Sequence, residues 1–325
     1  MSKRKRRLAP LALLAAMLLL AFGIAACGDD DDEDSGDDES ASLIESNPDN
    51  AGVEITVGSK NFTEQLILGE IYARGFEAAG YDVSTDLNLG SEQIALRSLE
   101  QGEVSGYPEY TSTALTSFFE FAPEDVPGTG QEAFEETEDE FAELGLQAFP
   151  PTPFSSANAV GLLPETADEL GVETISDLEG VSEDLTLFGS PECRQRIDCL
   201  VGLQDLYGLE FGKFTPVDIG LRYEVLDKGQ ADLSIVFTTD AQLAASDKYA
   251  ILEDDQEVLP AGNVMFVASQ ETVDRAGDDL AATIEAVQSD LSLEVMQELN
   301  SRVDLDKEKP AAVAEDYLRS AGLIE

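Results

Sequence analysis

The chain has 325 residues, 43% of them hydrophobic, enough for one or two domains with a sizeable core. Its 67 Asp and Glu against 19 Lys and Arg give a formal charge of −48, which repels nucleic acid and anionic lipid and favours cationic or zwitterionic partners or a salty medium. With no His, the usual general base and the usual transition-metal ligand are both missing.

The first 27 residues read as a targeting segment. Basic residues at 3–7 lead into an apolar run over 8–26 that ends in Ile24-Ala25-Ala26-Cys27. The run approaches the length of a spanning helix, but small residues directly before a cysteine point to cleavage. The tetrad resembles a bacterial lipobox, which implies that Cys27 becomes a lipidated N-terminus. The protein is then exported and held at the membrane by acyl chains. Residues 28–50 carry eleven Asp or Glu among Ser, Gly, Asn and Pro. Little there can be buried, so 28–52 is expected to be a disordered acidic tether.

The folded body begins near Val53. Val53, Ile55 and Val57 alternate with polar residues as in a half-buried strand, and Ile67, Leu68, Ile71, Gly75 and Ala78 recur at helical spacing. Between them stand Gly58, a turn residue, and Ser59, Asn61 and Thr63, which are helix-capping types. A strand that turns into a helix start leaves unpaired N–H groups suited to an anion such as a carboxylate, and Lys60 adds a full positive charge. An ordinary βα turn with a surface lysine carries the same local signature.

Further along, Val83, Thr85, Leu87 and Leu89 alternate as a second strand, a helix is expected over 92–101, and a short run follows into Tyr107-Pro108-Glu109-Tyr110-Thr111-Ser112-Thr113. Strand alternating with helix points to α/β layers around a mainly parallel sheet. Residues 120–140, acidic with two prolines, read as loop and a solvated helix. Pro150-Pro151-Thr152-Pro153 forces extended backbone and reads as a crossing between lobes. A second unit begins there, with strands at 158–163 and 185–188. Leu226-Asp227-Lys228-Gly229-Gln230-Ala231-Asp232 echoes Leu99-Glu100-Gln101-Gly102-Glu103-Val104-Ser105: in each a helix ends at Gly and a strand follows. Taken as two similar lobes, each would present a loop at its strand ends to one cleft, where ligands of open α/β sheets bind. The tail over 280–323 is helical in pattern and is expected to return to the first lobe.

Cys193 and Cys199 are the two cysteines besides Cys27. In an exported protein such a pair is expected to form a disulfide; a metal site would need more ligands than the stretch offers. The bridge would fix the loop that carries Arg196.

Together these stretches resemble the substrate-binding lipoproteins of ABC importers for glycine betaine, choline, carnitine and related osmoprotectants. The resemblance rests on Gly58-Ser59-Lys60-Asn61-Phe62-Thr63-Glu64-Gln65, on Tyr107 through Thr113, on Pro191-Glu192-Cys193 through Arg196, and on Gly220-Leu221-Arg222-Tyr223. Thr238-Thr239-Asp240, Leu252-Glu253-Asp254-Asp255, Met296 through Asn300 and Tyr317 through Leu323 extend it over essentially all of 53–325. It implies an α/β, two-lobed periplasmic-binding-protein fold of type II, with two crossing segments as hinge. Lobe 1 would comprise 53–157 and 263–325, and lobe 2 would comprise 158–262.

The resemblance also implies the site. Lys60, Arg196 and Thr113 would hold a ligand carboxylate, with Arg196 able to fork onto it as lysine cannot. A box of rings would hold a quaternary ammonium, since ring faces attract a cation that donates no hydrogen bond. Tyr110 stands at the first box position, Asn158 at the second, Phe237 at the third and Gly262 at the fourth, so two of four rings remain. Asn158 suits a ligand bearing N–H or O–H groups. The expected partners are a small zwitterionic or cationic ligand and an ABC permease, with no nucleic acid, no cofactor and no metal, the protein itself being a monomer. The alternatives are a different N–H-bearing amine or amino-acid-like ligand, or a sensor that binds without import. Catalysis is not expected: there is no His and no nucleophile–base spacing.

Overall fold

Ile55 and Val57 point inward from β1 (Glu54–Gly58), and the helical spacing after them becomes α1 (Thr63–Ala79). The structure, a computed structural model, describes residues 43–325; the expected leader, Cys27 and tether residues 28–42 lie outside them. The first half continues through β2 (Asp82–Asp86), α2 (Glu92–Glu100), β3 (Gly106–Tyr110), α3 (Thr111–Ser117), α4 (Gly130–Glu143), β4 (Leu146–Ala148) and β5 (Ser155–Ser156). The second half holds β6 (Asn158–Leu162), α5 (Pro164–Leu170), β7 (Thr186–Gly189), α6 (Leu200–Asp205), β8 (Lys213–Pro216), α7 (Arg222–Asp227), β9 (Leu233–Phe237), α8 (Ala241–Ala245) and β10 (Ala250–Ile251). The chain then returns through β11 (Gly262–Ser269) to α9 (Gln270–Ala276), α10 (Asp278–Gln288), α11 (Leu293–Asp304) and α12 (Pro310–Ser320).

Two sheets result. The first runs β2-β1-β3-β11-β4, with β5 also paired to β11; the second runs β10-β6-β9-β7-β8. Both are mixed where a mainly parallel sheet was expected. β1 is parallel to β2 and β3, but β11 re-enters antiparallel to β3, β4 and β5. In the second sheet β7 is parallel to β8 and β9, while β6 is antiparallel to β9 and β10. The reversed strands are the ones that arrive from a crossing between sheets, so their direction is set by the crossing. The two crossings are neighbours, because Gly262 pairs with Ser156.

Pro108 sits inside the buried strand β3, a position that usually needs every N–H. β1 meets β3 only at Val57–Gly106, and the carbonyl of Phe266, opposite Pro108, accepts instead from Phe149 N at 2.9 Å. No ladder donor is demanded of Pro108, and the strand can deliver Glu109 and Tyr110 to its C-terminal end.

The main core packs α1 against α10, α11 and α12 through Tyr72, Phe76, Ile284, Val287 and Leu318. A Cβ on Gly75 would lie 2.4 Å from Val287 Cγ1, so the glycine permits the close approach of α1 to α10. On the other face, α4 buries Ala133, Phe134 and Phe141 against Tyr107 and Met265. The acidic stretch is thus one face of an amphipathic helix and not wholly solvated. The second sheet has its own core, which includes Val160, Leu187, Leu203 and Leu233 with the Cys193–Cys199 disulfide, whose Cα atoms are 5.2 Å apart.

Residues 43–52 depart from the expected tether. Ile44 N donates to Leu323 O at 2.9 Å, and buried Asn50 donates through Nδ2 to Ala79 O at 2.9 Å and to Asp279. Asn47 Nδ2 reaches the same Asp279 at 2.6 Å. Amide side chains and one isoleucine give this segment its partners.

Candidate functional site

The turn after β1, the β3–α3 junction, the disulfide loop and the ends of β6 and β9 face one cleft between the two sheets. Its volume is about 890 Å³ including the open solvent at its mouth. Lys60, Tyr110, Thr113, Asn158, Arg196 and Phe237 all line it. Asn158 and Phe237 are direct cross-strand partners.

Three rings meet there. Phe62 lies 6.3 Å from Tyr110 with the planes 23° apart, and 5.2 Å from Phe237. Tyr110 is anchored from behind: its hydroxyl donates to Glu64 Oε1 at 2.6 Å, while Asn300 Nδ2 donates to Glu64 Oε2 at 2.8 Å. Glu64 is buried with no cation paired to it among the described residues, and burial pushes its carboxyl above the ordinary value despite these donors. Burial and then the neighbouring Glu64 carboxylate raise the Tyr110 hydroxyl well above its usual range.

The cations are already partnered. Lys60 is buried and paired with Glu109, itself fully buried and also accepting from Tyr107 Oη at 3.1 Å and Tyr110 N at 2.7 Å. Burial holds the Lys60 ammonium below its ordinary value even with Glu109 beside it. Its Nζ stands over the Tyr110 ring, 4.6 Å from the centroid. Arg196 donates through Nε to Asp198 Oδ1 at 2.8 Å and through Nη2 to the other oxygen of Asp198. Nη2 also reaches Thr113 Oγ1 at 3.4 Å, and Nη1 lies 3.7 Å from Glu92 Oε2. Burial opposes the guanidinium charge, but Asp198 outweighs it and pushes the value up. Arg222 stacks on Phe237 at 4.7 Å and pairs with Asp240, which also accepts from Phe237 N at 2.9 Å and Tyr223 Oη at 2.8 Å.

The helix start of the first motif is built differently from its sequence signature. The N-cap of α1 is Phe62, which makes no side-chain cap. Ser59 Oγ donates to Lys60 O and accepts from Asn88 N, and Thr63 Oγ1 donates to Asp304. The capping position goes to a ring that faces the cleft. Gly262 does not line the cleft. A Cβ there would lie 2.4 Å from Ser112 Oγ and 2.6 Å from its backbone N, so the position has no room for a ring. Asn158 turns its Nδ2 to Asp198 O at 2.8 Å.

Phe62, Glu92, Asp198 and Arg222 line the cleft without having been singled out from sequence. Phe62 left one signal, an apolar residue where caps are usually polar. Arg222 lay inside a motif whose chemistry only the fold reveals.

Residues 53–320 match the family model described as the substrate binding domain of the ABC-type glycine betaine transport system. The chain is 32% identical over 282 residues to a glycine-betaine-binding protein of Pseudomonas aeruginosa, covering 83% of this chain and 89% of that one. It is 29% identical over 287 residues to the ergothioneine transport permease/ergothioneine binding protein EgtU of Helicobacter pylori, covering 87% of this chain and 51% of that one. A solved glycine betaine/carnitine/choline ABC transporter structure superposes with a TM-score of 0.64 at 28% identity, over 82% of this chain and 98% of that one. The structural neighbours are two-lobed periplasmic solute-binding proteins. The family binds solute and is not one of enzymes. The chain belongs to the OpuAC family, the substrate-binding domains of ABC-type glycine betaine transport systems.

Proposed function

We propose that the cleft takes a small quaternary-ammonium osmoprotectant of the glycine betaine, choline or carnitine type and that the chain hands it to an ABC permease. The observation that carries this reading is the convergence of Phe62, Tyr110 and Phe237 on one cleft that also holds Lys60, Arg196 and Thr113. Rings attract a cation that has no N–H to offer, at roughly 0.5 to 2 kcal/mol per contact. The ammonium would sit against the rings and the polar end of the ligand would face Arg196, Thr113 and Asn158.

In this account residues 53–157 with 263–325 move against 158–262 about the paired crossings at Ser156 and Gly262, and ligand favours the closed form through contacts to both sides. Solute-binding proteins of ABC importers work outside the cytoplasm. Acylation at Cys27 would hold this one at the membrane as a monomer, with the acidic stretch after it as spacer; no helix among the described residues is long and apolar enough to cross a membrane. A second reading, a ligand bearing N–H groups, draws on Asn158. Its Nδ2 is engaged with Asp198 O, which leaves Oδ1 to accept from a ligand.

A thermal-shift panel separates the two. A ligand at about a hundred times its dissociation constant adds roughly 2.7 kcal/mol of stability. At least one of glycine betaine, choline, carnitine and proline betaine is expected to raise the melting temperature while ordinary amino acids do not. Silence from every quaternary ammonium compound, with a response to an amino acid, would replace the first reading by the second.

A further inference from the structure

The charges of the cleft do not balance within its walls. Lys60 is matched by Glu109, Arg196 by Asp198 and Arg222 by Asp240. Glu92 is left over. It is 7% exposed, lines the same cleft, and makes no side-chain hydrogen bond among the described residues; its one ionic contact is the 3.7 Å approach to Arg196 Nη1. Its negative charge also acts on Lys60. A carboxylate of the chain thus already lies beside Arg196, one of the two cations that would otherwise meet a carboxylate of the ligand.

We propose that Glu92 sets the ligand class of this cleft: it turns away a ligand carboxylate and accepts a hydrogen bond from a ligand hydroxyl, so that the ligand is a quaternary-ammonium alcohol and not a betaine. The inference rests on the reading of the cleft as a quaternary-ammonium site. Two carboxylates sharing one pair of cations repel, and partly buried like charges are screened little by solvent. A hydroxyl in the same place supplies the donor that Glu92 lacks, and such a bond to a charged acceptor is stronger than one between neutral groups. The resulting complex sets one positive charge from the ligand against the carboxylates that the walls leave unmatched. The overall acidity of the chain favours the same net cation.

Choline and glycine betaine test this, because both carry a trimethylammonium group, borne on a short alcohol in one and a carboxylate in the other. Calorimetric titration of the wild-type protein is expected to give choline the tighter binding by about tenfold or more. Glu92→Gln keeps the shape and removes the charge. It is expected to cut that ratio by about tenfold, chiefly by improving glycine betaine. The wild-type ratio needs no variant, and Glu92→Asp, which keeps the charge, should keep the preference. Tighter binding of glycine betaine by the wild type, or equal effects of Glu92→Gln on both ligands, overturns the role of Glu92 while leaving the quaternary-ammonium site intact. Failure of both compounds to bind overturns the underlying reading as well.

Discussion

Arg196 Nη2 stands 3.4 Å from Thr113 Oγ1, joining the disulfide loop beside the second sheet to the first turn of α3 beside the first. The same guanidinium balances Asp198 and faces Glu92. Removing it leaves carboxylates without their cation in a mostly buried site, so Arg196→Ala should lower both stability and affinity. Thr113→Ala deletes one hydroxyl and unbalances no charge. It is expected to weaken ligand binding by about tenfold and to leave the ligand-free melting temperature unchanged. Unaltered affinity in Thr113→Ala would take the threonine out of the site.

Phe62 contributes a ring and no hydrogen bond of its own side chain. Phe62→Leu keeps an apolar residue at the start of α1 and removes the ring that touches both Tyr110 and Phe237. A quaternary-ammonium ligand should bind about two- to thirtyfold more weakly, with little change in folding. Phe237→Leu should cost more stability, because Arg222 also loses the face on which it stacks. A titration series of the two variants checks the order.

Glu64 gives a signed pH dependence. Burial raises its folded value above the ordinary carboxyl value of 4.5. The native state therefore holds the proton more tightly than the unfolded chain, and stability falls as pH rises from the unfolded value through the folded one. Below the ordinary value both states are protonated and the effect vanishes. Glu64→Gln should accordingly melt higher than the wild type at neutral pH and the difference should close at about pH 4. A variant that melts lower at neutral pH would show that the bonds from Tyr110 and Asn300 outweigh the cost of burying the charge.

Deleting residues 43–52 removes the contacts of Ile44 with Leu323 O and of Asn50 with Ala79 O. Each lost hydrogen bond is worth about 1 kcal/mol. The shortened chain should melt several degrees lower, and the ligand's dissociation constant should not change. An unchanged melting temperature would show that the segment contributes nothing to the fold.

The strands and helices were legible where burial follows a simple period, as in Ile55 and Val57 or in Ile67, Leu68 and Ile71. The docking of 43–52 was not, because its two asparagines mean nothing until Ala79 and Asp279 are brought near. The site divides in the same way. Lys60, Tyr110 and Arg196 lie in recognisable motifs, and all three line the cleft. Glu109 and Asp240 stand inside motifs, but like Asp198, one acid among 67, they show no role until the cations they pair with are known. Gly262 shows the converse: its place in the motif order suggests a wall of the box, and only the proximity of Ser112 shows that no side chain fits there.

The most direct measurement is a calorimetric titration of choline and glycine betaine into the wild type and into a Phe62→Leu/Phe237→Leu double variant. The account predicts saturable binding of at least one compound at one molecule per wild-type chain. It also predicts a loss of affinity by about tenfold or more in the double variant. Absence of binding by the wild type, or equal affinity in the double variant, would contradict the assignment of this cleft as a quaternary-ammonium site.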